Sequence, residues 1–467
     1  MEAVKANVVL PISNWHEVDV TVFGMGRSGR AAADLLLDLG AQVTIVEEQT
    51  VPELEATAVG YEQRGARIFL GSQFKKGLRD ADIVVVSPGV SKDHPAIKQV
   101  RQRDVPVIGE IELAGWLLQA PIIAVTGTNG KSTTVQLIGS ILQQSGKQVF
   151  VGGNLGIPLC EAVFRPPVTS DRLDYEYIVA EVSSFQLETI KRFRPWIAVL
   201  LNVTPDHLDR HPTQEEYRAT KQRIFENQTP EDWALINADD PVVRSMRSHL
   251  KAPVCEFSLC QKIGQGVFLE GNIIQARIQG REWTVAQRDE IPMRGDHNLA
   301  NAMAATNVGL LCGCSIEDIM RAFQRTPTFE HTLEFVREWN GITFINDSKG
   351  TNVDATLKAL QSFKDPVVLI LGGKDKGGDF SLLADPIRRQ VQGLVVMGEA
   401  APRILKALGQ TTSVTVGENL TDAVSRAVSL ASKGNVVLFS PACASFDMFR
   451  NYHHRGLEFK RIVGELQ

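Results

Sequence analysis

Residues Thr126-Gly127-Thr128-Asn129-Gly130-Lys131-Ser132-Thr133 combine glycines, a lysine and paired hydroxyls directly after the apolar run Ile122-Ile123-Ala124-Val125. A strand, loop and helix of this composition hold phosphate. The glycines let backbone N–H groups turn toward an anion, the helix N-terminus adds its dipole, Lys131 adds a charge, and Ser132 or Thr133 offers oxygen to Mg2+. The spacing is two residues shorter than the common GxxxxGK[ST] loop, so the chemistry carries the reading rather than the pattern. A second cluster, Gly24-Met25-Gly26-Arg27-Ser28-Gly29, follows the run 18–23, with Glu47 at the end of the next apolar run. This is the nominal dinucleotide fingerprint. NAD satisfies it, and so does a nucleotide-sugar diphosphate.

Short β-branched runs alternate with helical stretches along most of the chain, which predicts α/β architecture with parallel sheets. Residues 1–110 hold strands at 18–23, 42–46 and 82–86, and a helix at 30–39 that Gly40 ends. Residues 111–327 hold strands at 122–125, 177–181 and 197–203, an antiparallel excursion over 254–290, and helices at 298–311 and 316–323. Residues 328–467 hold strands at 342–345, 367–371, 394–397 and 436–439. The expected fold is three α/β domains: a Rossmann-like first domain, a central P-loop-like domain with a mostly parallel sheet, and a Rossmann-like C-terminal domain. Ligands in such sheets bind beyond the carboxyl ends of the strands, where both glycine clusters fall.

Composition narrows the function classes. A net charge of −5 over 467 residues gives no basic field, which argues against a nucleic-acid partner. The six cysteines form no CxxC pair, so reduced thiols are expected rather than a zinc site or a disulfide framework. No signal pattern opens the chain, and no apolar run approaches bilayer length. A cytoplasmic protein without membrane insertion is the expectation.

Further blocks follow in order: Gly152-Gly153-Asn154-Leu155-Gly156, Glu181-Val182-Ser183-Ser184-Phe185-Gln186-Leu187, and Asn202-Val203-Thr204-Pro205-Asp206-His207-Leu208-Asp209. Tyr217 with Lys221 and Ile224, His297-Asn298 with Asn301, and Asn346-Asp347-Ser348-Lys349-Gly350-Thr351-Asn352 continue the series. Together with the phosphate loop they resemble the Mur ligase family over residues 18–465. Gly372-Gly373-Lys374-Asp375-Lys376-Gly377 and Ser440-Pro441-Ala442-Cys443-Ala444-Ser445-Phe446-Asp447 are similar to the members that add D-glutamate.

The resemblance implies an ATP-dependent ligase. A substrate carboxylate would be activated as an acyl phosphate, and the amine of an incoming amino acid would then attack it. UDP-N-acetylmuramoyl-L-alanine and D-glutamate are the implied substrates, in peptidoglycan precursor synthesis, and a monomer is expected. By the same resemblance the catalytic residues are Lys131, Glu181, His207, Lys221 and Lys349. ATP falls to Gly127, Thr128, Asn129, Gly130, Lys131, Ser132, Thr133, Asn298, Asp347 and Lys349. The UDP-sugar falls to Gly24, Met25, Gly26, Arg27, Ser28, Glu47, Ser87, Gly89, Asn154 and His207, and D-glutamate to Thr351, Lys376, Ser445, Phe446 and Tyr452. Two Mg2+ ions are implied, with Ser132, Thr133, Glu181, His207 and a carbamylated Lys221 as ligands. His211, His453 and His454 read as surface or turn histidines.

One departure stands out. Thr332 occupies the position where the family carries an arginine that touches the nucleotide, and Lys374 or Arg337 is the available replacement charge. Two alternatives remain at this stage. A folylpolyglutamate synthetase-like ligase shares the phosphate loop but lacks a comparable UDP-binding first domain. An NAD-dependent oxidoreductase explains the first 110 residues and leaves Glu181, His207 and Lys221 without a task.

Overall fold

Apolar β-branched runs bounded by glycine and proline form the strands, and the amphipathic stretches between them form the covering helices. The computed structural model describes residues 12–163, 174–207, 210–326 and 330–466. Leu208, Asp209 and the boundary expected at 327–328 lie outside the described residues.

The first sheet comprises Asp19–Phe23 (β1), Gln42–Glu47 (β2), Arg67–Leu70 (β3), Ile83–Val86 (β4) and Val107–Gly109 (β5). Its order is β3-β2-β1-β4-β5, with every pairing parallel. The chain reverses direction across the sheet at β1 and β4, so the switch-point crevice lies beyond Phe23 and Val86.

The second sheet comprises Ile122–Thr126 (β6), Val149–Gly153 (β7), Tyr177–Glu181 (β8), Ile197–Leu200 (β9), Trp233–Asn237 (β10), Val254–Ser258 (β11), Gly266–Glu270 (β12), Ile273–Ile278 (β13) and Arg281–Gln287 (β14). Its order is β14-β13-β12-β11-β10-β9-β6-β8-β7. The excursion expected to be antiparallel over 254–290 is only partly so. β11 joins β10 in parallel and β12 joins β11 in parallel, whereas β12 and β13 form an antiparallel pair. Short runs broken by glycine do not reveal pairing direction, which is decided by the partner.

The third sheet comprises Glu334–Trp339 (β15), Ile342–Asn346 (β16), Val367–Gly372 (β17), Val391–Met397 (β18), Ser413–Val416 (β19) and Val436–Phe439 (β20), in the order β15-β16-β20-β17-β18-β19. β15 is antiparallel to β16 at the edge, and the other pairings are parallel. Both faces are covered. Val367, Leu369 and Leu371 enter one core, while Val368 and Ile370 enter the other, which is the period-two alternation of a doubly packed strand.

The chain forms two compact units. One holds Met1–Asn202, Tyr217–Ala286 and Ala302–Phe323, and the other holds Val203–Glu216, Gln287–Asn301 and Gln324–Gln467. Inside the first unit, the helix Glu110–Leu117 is tied to the loop before β9 through one carboxylate. Glu112 accepts the backbone N–H groups of Lys191, Arg192 and Phe193 at 2.8, 2.7 and 2.9 Å, and the Trp116 indole N–H at 2.7 Å. Four donors satisfy a fully buried anion. All six cysteines are free thiols. Among the described residues no helix is long and apolar enough to cross a membrane.

Candidate active site

β1 delivers the chain to Gly24, whose N–H bonds to the Val46 carbonyl at 2.8 Å and whose carbonyl accepts the Ser87 hydroxyl at 3.0 Å. The helix Arg27–Asp38 starts at once, and its first turn crosses this point closely. A Cβ on Gly29 would lie 1.8 Å from the Gly24 carbonyl oxygen, so only glycine fits there. Glu47, at the end of β2, accepts from the N–H groups of Met25 and Gln49, each at 3.0 Å. The acidic residue of the fingerprint thus braces the glycine loop.

The result is a groove of about 750 Å³, large enough for a nucleotide-sized ligand. Gly24, Met25, Gly26, Arg27, Ser28, Glu47, Ser87, Gly89 and Asn154 all line it, with Gln186 and His94 beside them. The structure therefore brings together nine of the ten residues expected to hold the UDP-sugar. The tenth, His207, belongs to the other unit. Arg27 donates to the Gly156 carbonyl at 3.0 Å, joining the first glycine loop to the segment after β7.

Asn154 links this groove to the phosphate loop. Its amide donates to Glu181 Oε1 at 2.9 Å, and Ser132 Oγ donates to Glu181 Oε2 at 2.5 Å. Ser132 opens the helix Lys131–Gln144 behind Gly130, whose φ of 87° is a left-handed conformation that suits glycine. Lys131 folds back onto the carbonyls of Gly127 and Thr128, each at 2.8 Å. Asn202 braces the loop from β9, accepting from Asn129 N–H at 2.9 Å and donating to the Asn129 carbonyl at 3.0 Å.

Lys221 is buried in the same unit. Its ammonium donates to the Gly127 carbonyl at 2.8 Å and sits 4.7 Å from the centre of the Tyr217 ring. A buried carboxylate bonded to a hydroxyl at a helix N-terminus is a hard-oxygen donor set, and Mg2+ fits it. Thr133 is buried beside Ser132.

In the second unit the loops after β16, β17 and β20 end side by side, because these three strands are adjacent in the sheet. Asp347, after β16, accepts from Ser440 Oγ at 2.6 Å and from Leu333 N–H at 3.2 Å. Burial pushes its carboxyl up to about 7 against those bonds. Lys349 and Thr351 follow on the same loop, and Asn298 is buried, donating to the Arg294 carbonyl at 2.9 Å. Ser445 is buried after β20, whereas Phe446 is exposed. Tyr452 opens the helix Tyr452–Gly464, and its carbonyl accepts the Ser348 hydroxyl at 2.8 Å.

Several contacts lay outside the sequence reading. Lys376 reaches Asp206 Oδ1 at 2.7 Å, and Asn352 donates to Asp206 Oδ2 at 3.0 Å. Arg455 is fully buried and ties two loops together. It donates from Nε to Ser348 Oγ at 3.0 Å, from Nη2 to the Ser348 carbonyl at 2.8 Å, and from Nη1 to the carbonyls of Cys443 and Ala444 at 3.1 and 3.2 Å. Its only sequence signal was a charge on the apolar side of a helix.

Arg337 does not replace the arginine missing at Thr332. Its guanidinium is committed to the carbonyls of Val463, Gly464 and Leu466, which end the last helix. Cations complete unpaired helix C-termini in this way. His211 lies in a turn as expected, but it is buried rather than at the surface.

Glu330, His331 and His453 bring ligand atoms within 4.8 Å of one another, yet they suit a metal poorly. Asn346 turns its amide N–H to His331 Nδ1 at 2.9 Å, and that amide is oriented by acceptors on Glu334 and Gly456 at 3.1 and 3.3 Å. The Asn346 amide nitrogen thus occupies the Nδ1 side of the buried ring, and His331 is tied into the protein's own hydrogen bonds.

Comparison with known proteins gives matches along most of the chain. Residues 18–109 match the Mur ligase MurD-like N-terminal domain, 125–309 the Mur ligase middle domain, and 333–443 the Mur ligase glutamate ligase domain. A UDP-N-acetylmuramoylalanine–D-glutamate ligase of Geotalea uraniireducens is 44% identical over 454 residues, covering 96% of this chain and 97% of its own. The protein of that name from Koribacter versatilis is 42% identical over 447 residues, with the same coverage of both chains. Among solved structures, a pseudomurein peptide ligase type C from Methanothermus fervidus aligns with a TM-score of 0.60 at 17% identity, covering 96% of this chain and 100% of its own. The UDP-N-acetylmuramate-alanine ligase MurC of Thermotoga maritima aligns with a TM-score of 0.57 at 20% identity, covering 96% and 99%. These two show likeness of fold.

Proposed function

The chain belongs to the Mur ligase family, and from that premise we propose that it joins D-glutamate to UDP-N-acetylmuramoyl-L-alanine at the expense of ATP. The observation that carries this reading is the 44% identity, over nearly the full length of both chains, to a ligase bearing that activity's name. The groove of the first unit supports it, since Asn154 lines the groove and also donates to Glu181 beside the phosphate loop.

In this reading the L-alanyl carboxylate attacks the γ-phosphorus of ATP, the β–γ bridging bond breaks, and an acyl phosphate and ADP result. The amine of D-glutamate then adds to the acyl carbon. The tetrahedral intermediate expels phosphate, and the nitrogen loses a proton as the amide forms. Such transfers depend on positioning and charge neutralisation. The backbone N–H groups of 127–133 cradle the phosphates, and Lys131 leaves its carbonyl contacts to neutralise them. Lys349 adds a second charge, while Asn298 and Asp347 hold the nucleoside. Lys376, Thr351, Ser445, Phe446 and Tyr452 receive D-glutamate.

Ser132, Thr133, Glu181, His207 and Lys221 would hold two Mg2+ ions, which supply charge neutralisation at the transferring phosphoryl group. Lys221 would serve as its carbamate, an anion where the unmodified side chain is a cation. A carbamate carbon resonance from 13C-bicarbonate, absent in Lys221→Met, would support that modification, and its absence from the active enzyme would refute it. The division into 1–110 for the UDP-sugar, 111–327 for ATP and metal, and 328–467 for the amino acid belongs to the same reading. So do a cytoplasmic location and a monomeric state.

The test is phosphate release from ATP and Mg2+ with UDP-N-acetylmuramoyl-L-alanine, offering D-glutamate, L-glutamate, L-alanine and meso-diaminopimelate separately. Release that requires D-glutamate, with a product heavier by one glutamyl residue, is the expected result. Release with another amino acid, or with none, would overturn the assignment.

A further inference from the structure

Asp206 sits where two expected sites of the second unit converge. Its carboxylate is buried and accepts three kinds of donor: the Lys376 ammonium at 2.7 Å, the Asn352 amide at 3.0 Å and the His207 backbone N–H at 2.8 Å. The last bond supports a backbone under strain, because His207 holds a φ of 55°, a left-handed conformation uncommon outside glycine. The ion pair with Lys376 and the bond from Asn352 place a carboxylate on that ammonium.

An ammonium, an amide and a backbone N–H are also the donors that a free amino-acid carboxylate seeks. We propose that Asp206 holds the place on Lys376 that a carboxylate of the incoming acidic amino acid takes, so that Asp206 sets the affinity for that amino acid. This rests on the reading of Lys376 as an acceptor-pocket residue. The arriving carboxylate either displaces Asp206 or shares one ammonium with it. In both cases two like charges compete for a single cation, and removing the resident one strengthens binding of the newcomer. A ligand without a second carboxylate gains nothing from the exchange.

The test measures KM for D-glutamate, KM for ATP and kcat in the full chain, in Asp206→Asn and in Asp206→Ala. D-glutamate is also titrated calorimetrically in the presence of UDP-N-acetylmuramoyl-L-alanine and a non-hydrolysable ATP analogue. Each measurement is repeated in a Lys376→Met background. Both variants are expected to bind D-glutamate roughly three- to ten-fold more tightly, the size of one partly screened charge contact, with KM for ATP unmoved. The gain is expected to vanish without Lys376. Asp206→Ala is expected to lose kcat as well, because His207 loses its brace. Equal or weaker D-glutamate binding in both variants, or the same gain in the Lys376→Met background, would overturn the inference. Turnover that does not depend on D-glutamate in the unaltered chain would instead overturn the functional reading beneath it.

Discussion

Glu181 has both oxygens engaged, one by Ser132 at 2.5 Å and the other by Asn154 at 2.9 Å. A carboxylate so held has little rotamer freedom left, which is what a metal ligand requires. Glu181→Gln keeps the volume, but it removes the charge and sets an amide N–H against one of two donors. We expect kcat to fall on the order of a hundred-fold or more, the usual cost of losing charge stabilisation at a transferring phosphoryl group. Phosphate release at saturating substrates would measure it, and a loss smaller than about five-fold would remove Glu181 from the metal site. The Gly29 position belongs to the same scale. It was legible as the last glycine of a fingerprint, whereas its reason, a helix turn crossing the Gly24 carbonyl, arises only in the packed chain.

The helix Glu110–Leu117 shows how one element joins two sheets. Glu112→Ala would take the acceptor from the buried Phe193 N–H, from the N–H groups of the exposed Lys191 and Arg192, and from the Trp116 indole, so we expect a loss of roughly 2–4 kcal/mol in stability. Denaturant unfolding followed by circular dichroism would check this, and a loss below about 1 kcal/mol would show that water replaces the carboxylate. Glu110 on the same helix has a different consequence. Its carboxylate accepts the Cys160 N–H at 2.6 Å, yet desolvation raises its pKa from 4.5 to about 7.

Between those values the folded chain keeps a proton that the unfolded chain has already lost, so stability falls as pH rises through that window and levels off above it. The contribution is roughly 3 kcal/mol, and Glu110→Gln should remove that part of the slope. Unfolding midpoints of both proteins at pH 4.5, 6 and 8 would decide; parallel pH profiles would mean that Glu110 ionises normally. Neither contact was visible in the sequence. The strands and the glycine loops were, because hydrophobic period and loop chemistry are local. Glu112 meets partners about 80 residues away, and Asp206 meets Lys376 across 170 positions. Pairings of that kind are decided by the packed chain.

At the scale of the whole molecule, the proposed substrates divide between the compact units. The groove for the nucleotide-sugar lies in the first, with the phosphate loop, Glu181 and Lys221, while Lys349, Lys376 and Ser445 lie in the second. Single ligands should therefore leave separate footprints in hydrogen exchange, because protection follows the elements that a ligand touches. UDP alone is expected to slow exchange at 24–29 and 152–157 and to leave 372–378 and 440–447 unchanged. UDP-N-acetylmuramoyl-L-alanine with a non-hydrolysable ATP analogue should extend protection to 127–133 and to 346–351. D-glutamate added last should then slow 372–378 and 443–447. Protection of 372–378 by UDP alone would assign the nucleotide to the wrong unit and undo the division of labour proposed for the chain. Protection of 127–133 without any change at 346–351 would leave Lys349 and Asp347 outside the ATP site, and the positive charge for the γ-phosphate would then have to come from Lys131 alone.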